Sequence, residues 1–153
     1  DALLKAAAAR GIYSLPRLCF EASFPAATIS KNMVPYVDEN MVTAAAVSLG
    51  GWAMRPGHES QRGQIHVILR SATRQLIFTT IAVARADVAR AYKQPGWRDG
   101  GFRFVLRREH LPVDDYQVGL LIDDGAQGEY VMTDQWVRLA HPIPGAPVRF
   151  NTL

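Results

Sequence analysis

Gly50-Gly51-Trp52-Ala53-Met54-Arg55-Pro56 opens, and Gly100-Gly101-Phe102-Arg103-Phe104-Val105-Leu106 closes, the stretch whose reading decides the fold. In the closing segment Phe102, Phe104 and Leu106 alternate with Arg103, Val105 and Arg107. Successive side chains of a strand point to opposite faces, so this pattern predicts a strand with one apolar face. The opening segment completes a strand with Val47, Leu49 and Ala53 on one face and Trp52 and Met54 on the other. Gly50-Gly51 predicts a bulge or a close backbone approach within it. Between these strands, Asp87 to Tyr92 reads as a helical turn, with Asp87 placed to cap or favour its N-terminus. Residues 93–101 read as a loop, punctuated by Pro95, Gly96, Gly100 and Gly101.

Working outward, Gln64 to Arg70 alternates through Ile65, Val67 and Leu69, and Gln75 to Val83 reads as its returning strand, a hairpin. Tyr116, Val118, Leu120 and Ile122 mark a further strand, Asp123-Asp124-Gly125 a hairpin-type turn, and Glu129 to Leu139 the last strand. Toward the N-terminus, Arg17 to Phe24 alternates as a strand, and Asp1 to Arg10 reads as a helix stopped by Gly11. Thr28 to Glu39 is less regular, and Pro35 bars a central strand there. About seven short strands with turns between them and little helix predict a mostly-β antiparallel sandwich.

Composition agrees with one globular domain. The 153 residues are 48% hydrophobic and 20% charged, enough apolar content for a core without staples. The net charge is +3, and the basic residues are mostly Arg, with Lys only at 5, 31 and 93. Arg favours anionic partners such as phosphate, carboxylate or acidic glycan, although a scattered solvated surface is the simpler reading. Cys19 is the only cysteine, which excludes an intrachain disulfide and a thiolate metal cluster. No segment is long and apolar enough to span a bilayer, so no direct membrane insertion is expected.

The sequence carries no catalytic signature. It lacks a G-x-S-x-G elbow and a phosphate-binding glycine loop, and His58, His66, His110 and His141 fall at no metal-ligand spacing. His66 lies opposite Ile65, Val67 and Leu69, which predicts a surface histidine. Asp114-Asp115 and Asp123-Asp124 read as turn residues rather than a calcium loop. Neither a cofactor nor a metal is expected. Gly101-Phe102-Arg103-Phe104-Val105 partly matches an RNA-binding strand, but the surrounding element order does not, so Phe102 and Phe104 read as core and no nucleic acid is expected.

The aromatics remain. Trp97 lies in the Gly/Pro loop beside Arg98 and Asp99. An exposed Trp there stacks on a sugar ring while its neighbours bond the hydroxyls; otherwise it folds back and plugs the sandwich edge. Tyr92, Trp97, Arg98 and Asp99 are the candidate ligand-binding residues. Trp52 and Trp136, on strands, are expected to pack.

Gly51-Trp52-Ala53, Arg85-x-Asp87-Val88-Ala89-x-x-Tyr92, Gly101-Phe102-x-Phe104-x-Leu106, Leu111-Pro112 and Tyr116-x-Val118 follow one another in this order. The ordered set resembles the Ig-like β-sandwich domains appended to bacterial glycosyltransferases, methyltransferases and related envelope-polysaccharide proteins, over roughly residues 47–137. Where that group often has an Asp-Pro turn, this chain has Met54-Arg55-Pro56, which lacks the acid. The residue pattern and the resemblance together lead to the expectation of an Ig-like sandwich over 17–140, preceded by a helix and connector at 1–16 and followed by an irregular tail at 141–153. It implies a non-catalytic accessory module whose partner is a saccharide or a protein domain, on the extracytoplasmic side of the envelope. A purely structural docking or oligomerisation domain is the alternative.

Overall fold

Val47, Leu49 and Gly51 of one strand stand opposite Leu106, Phe104 and Phe102 of another, in an antiparallel ladder at the centre of a four-stranded sheet. The computed structural model describes residues 27–56, 63–123, 125 and 128–141. Within them run β1 (Thr28–Ile29), β2 (Val34–Val42), β3 (Ala46–Met54), β4 (Gln64–Arg70), β5 (Gln75–Thr79), β6 (Ile81–Val83), α1 (Ala86–Tyr92), a 3-10 helix at Pro95–Gly100, β7 (Gly101–Arg107), a 3-10 helix at Arg108–His110, β8 (Asp115–Asp123) and β9 (Gly128–Arg138). The sheets are ordered β2-β3-β7-β6 and β1-β9-β8-β4-β5. Only β1 and β9 pair in parallel. Lettering β2 to β9 as A, B, C, C′, D, E, F and G gives A-B-E-D facing G-F-C-C′, the strand order of an Ig-like sandwich.

The inner faces meet as the alternation requires. Val47, Leu49, Phe102, Phe104 and Leu106 from one sheet pack on Val67, Leu69, Phe78, Val118 and Leu120 from the other. The Phe78 and Phe104 rings lie 5.2 Å apart across the interface, in the tilted geometry that aromatic quadrupoles favour. Tyr116 is fully buried at the start of β8, and its hydroxyl donates to the Pro112 carbonyl at 2.6 Å. This is the arrangement of a tyrosine corner, and burial pushes the phenol pKa up. At the end of β3, buried Arg55 reaches Glu129 of β9 at 3.2 Å and ties the two sheets together.

Five expectations change. Residues 34–42 form one strand, bulged at Asp38, where a less regular segment was expected. Pro35 is tolerated because β2 lies at the sheet edge, where a missing N–H breaks no central ladder. The returning strand after β4 is two strands. Thr80 interrupts it, its hydroxyl donating to the Ile65 carbonyl at 2.7 Å, and the chain then crosses to pair with β7 in the other sheet. With β1, β2 and this division, the described residues hold nine strands rather than seven.

His66 faces away from the core as expected, yet it is 2% exposed. Its face also carries fully buried Ile68, Ile77 and Leu121, packed with Ala27, Tyr130 and Met132 as a second apolar cluster. Trp136 was expected to pack. It is 40% exposed instead, with the Arg138 guanidinium 4.7 Å from its ring. The N-terminal helix, the strand at 17–24, Cys19, His58 and the tail beyond His141 lie outside the described residues.

Candidate functional site

The glycine pair of β3 sets the geometry of the outer face. Asp38 has no partner in the ladder, because Val37 pairs with Gly51 and Glu39 with Gly50. The bulge thus lies in β2 and not in β3 as expected, and the glycines stand opposite it. A side chain at Gly51 would run into the Tyr36 carbonyl, so this close approach requires glycine. Tyr36 in turn stands opposite Trp52 on the outer face, their rings stacked with centroids 5.8 Å apart.

Residues 85–98 cover this end of the face as one closed loop. The Arg85 N–H donates to the Arg98 carbonyl at 2.7 Å, which brings the two ends together in the manner of a compact Ω-loop. Lys93 adopts the left-handed conformation that ends α1, its N–H bonding back to the carbonyls of Ala89 and Arg90. Pro95 then begins the 3-10 helix. The helix directs Trp97 inward, where it joins Trp52, Met54 and Val88.

Four aromatic rings therefore meet. Trp52 contacts Tyr92 at 5.4 Å and Trp97 at 6.1 Å, and Tyr92 contacts Trp97 at 4.7 Å. Trp52 and Trp97 are 5% and 7% exposed, whereas Tyr36 and Tyr92 are 55% and 49% exposed. The tryptophans form a buried base, and the tyrosines are its open surface.

Arg85 secures the loop electrostatically. Its guanidinium forms a bidentate pair with Asp87, both distances 2.9 Å, and reaches Asp38 in the β2 bulge at 2.8 Å. The stem of Arg85 lies over Gly101, where any side chain would collide with it. Hydrogen bonding from Arg85 holds the Asp87 carboxyl down to about 2, and Asp87 in return raises the Arg85 pKa. Asp87 also sits in the first turn of α1, where its negative charge complements the helix dipole.

The four candidate residues from the sequence fall into two settings. Tyr92 and Trp97 touch each other in the aromatic cluster, Tyr92 outward and Trp97 inward. Trp97 thus takes the folded-back arrangement, and its ring backs Tyr92. Arg98 is exposed on the same loop. Asp99 lines a separate cleft of about 350 Å³ with Gln64, Ile65, Thr80 and Ala82, at the open edge between the sheets. The sequence reading missed Tyr36 and the Asp38–Arg85 pair, because β2 was not recognised as a strand. The signal available was Tyr36 two positions after Val34, on the face opposite Pro35 and Val37.

The acidic turns use their oxygens locally. Asp114 accepts from Thr73 and from the Asp115 N–H. Asp123 accepts from the N–H of Gly125, whose φ of 93° suits glycine. Asp115 binds the His141 ring at 2.6 Å and the backbone N–H groups of Ala140 and His141, which lower its pKa, the His141 N–H most strongly. Among the described residues, no group of three or more His, Cys, Asp or Glu is placed to hold a metal ion, and no helix is long and apolar enough to cross a membrane.

No protein family matches this chain, and neither does any curated protein or solved structure.

Proposed function

We propose that this chain is a non-catalytic recognition module that binds a saccharide on Tyr36 and Tyr92. The observation that carries the reading is the pair of half-exposed tyrosines set on a buried Trp52–Trp97 base. Rings held in this way offer apolar faces to the C–H surface of a sugar, with little ordering entropy left to lose. Asp38, Asp87 and Arg98 supply polar groups on the adjoining β2 bulge and closed loop. The ordered motifs that resemble Ig-like accessory domains support a place in envelope-polysaccharide metabolism, beside a partner enzyme on the extracytoplasmic side.

Calorimetric titration with a panel of soluble oligosaccharides tests this reading. Binding should weaken about tenfold or more in Tyr36→Ala and in Tyr92→Ala, the scale of an aromatic contact at the centre of an interface. A wild-type protein that binds no saccharide would overturn the reading, as would variants that bind equally well.

A second reading is docking or self-association through a sheet edge. Ile81 and Val83 are exposed on β6, an edge strand, and open edges pair readily with another chain. In that case sedimentation should show association that Ile81→Lys abolishes, and a monomer at every concentration would exclude self-association.

A further inference from the structure

We infer that the saccharide bound at Tyr36 and Tyr92 is an acidic one, bearing carboxylate, phosphate or sulfate groups; the inference rests on the saccharide reading above. It comes from where the uncommitted positive charge lies. Several cations elsewhere in the described residues are paired: Arg55 with Glu129, Arg74 with Asp114, Arg103 with Glu39 and Arg107 with Glu109. Arg70 and Arg108 bond neutral groups of Gln75 and Thr43, and Arg138 lies over Trp136. On the closed loop, Arg90, Lys93 and Arg98 are exposed and make no ion pair among the described residues.

The acids nearest the tyrosines do not neutralise these three cations. Asp38 and Asp87 are both engaged by Arg85, and Glu39 is engaged by Arg103. Asp99 lines the cleft at the sheet edge. Lys93 directly follows Tyr92 in sequence, and Arg98 directly follows Trp97. The 85–98 backbone closure holds Arg98 at the start of α1 and Lys93 at its end. Three solvated cations on the loop that carries Tyr92 form a field that draws an anion toward the ring. Arg forks match carboxylate and phosphate oxygens in pairs. A neutral sugar would use the aromatic surface and leave these charges without a role.

The test is calorimetric titration of the whole chain with neutral maltohexaose and cellohexaose, and with oligogalacturonate, a phosphorylated mannan oligosaccharide and a heparin oligosaccharide. At least one acidic ligand should bind about tenfold or more tightly than the neutral ones, and that advantage should shrink as salt is raised. Arg90→Ala, Lys93→Ala and Arg98→Ala should each reduce the acidic advantage, and Tyr36→Ala and Tyr92→Ala should weaken acidic binding itself. The three acidic arms distinguish carboxylate, phosphate and sulfate.

Equal, tyrosine-dependent binding of neutral and acidic ligands would overturn the inference and leave the saccharide reading standing. Acidic binding that ignores both tyrosine substitutions would be ion exchange on a basic surface, and would also overturn it. Failure of every saccharide to bind would overturn both.

Discussion

The outer faces of the two sheets solve the same problem in opposite ways. On the five-stranded sheet, Ile68, Ile77 and Leu121 are fully buried, and His66 beside them is nearly so. On the four-stranded sheet, the apolar surface of Trp52 is covered by a loop that leaves Tyr36 and Tyr92 half in water. Around these residues the first face is closed, so that part of it contributes stability. The second is aromatic, flanked by charges and partly open, so it offers the specific, rigid surface that binding sites use. A face buried on both sides of a sheet marks structure. A face whose cover stops short marks a place where something else can complete the contact.

The strongest way to break this contrast is truncation at the centre of each face. Trp52→Ala should cost about 3–5 kcal/mol and Ile77→Ala about 2–5 kcal/mol, read from urea unfolding. Tyr36→Ala should cost well under either, since much of its ring is already hydrated. If Tyr36→Ala proved as costly as Trp52→Ala, the tyrosines would be core members and not an open surface.

A smaller effect is expected at the clamp. Arg85→Met keeps the stem over Gly101 and removes the charged fork. It should cost about 1 kcal/mol, with faster amide exchange confined to residues 85–98 while β4 and β8 keep their protection. Uniform loosening of both sheets would show that the loop is not a separately held unit.

The smallest effect is that of acid. The Asp87 carboxyl is depressed from an ordinary 3.8 to about 2 by Arg85. Its contribution is therefore fully present above the ordinary value and is lost as pH falls through the depressed one. Nuclear magnetic resonance should show the Val88 amide and Tyr92 ring shifting as pH falls through about 2, while Ile68 and Leu121 stay fixed. In Arg85→Met the transition should move up toward the ordinary carboxylate value.

Strands whose core-facing residues alternate strictly were the most legible part of the sequence. In β4, β7 and β8 every second residue is apolar, and the register of all three follows that pattern. The edge strand β2 was not legible. Its residues are only partly buried, it contains Pro35, and the bulge at Asp38 breaks its period. The break at Thr80 was hidden for another reason. A crossing between sheets leaves no mark in the alternation, and the bond that holds it, from a hydroxyl to the Ile65 carbonyl, is a tertiary contact.

The site was legible in part for the same reasons. Tyr92, Trp97, Arg98 and Asp99 stood out as a chemically varied loop, but a loop has no period, so the directions of their side chains could not be read. Only the fold shows that Trp97 turns inward, that Asp99 belongs to a different cleft, and that Tyr36, distant in sequence, completes the surface.

The four clustered rings also have an optical consequence. With centroids 4.7–6.1 Å apart, their electronic transitions couple, and light absorbed by Tyr36 or Tyr92 passes to the indoles beneath. Trp136, on the other sheet and half in solvent, emits as a separate, water-exposed source. The three tryptophans thus form two separate emitters, and an occupant stacked on the tyrosines would change the colour of only one.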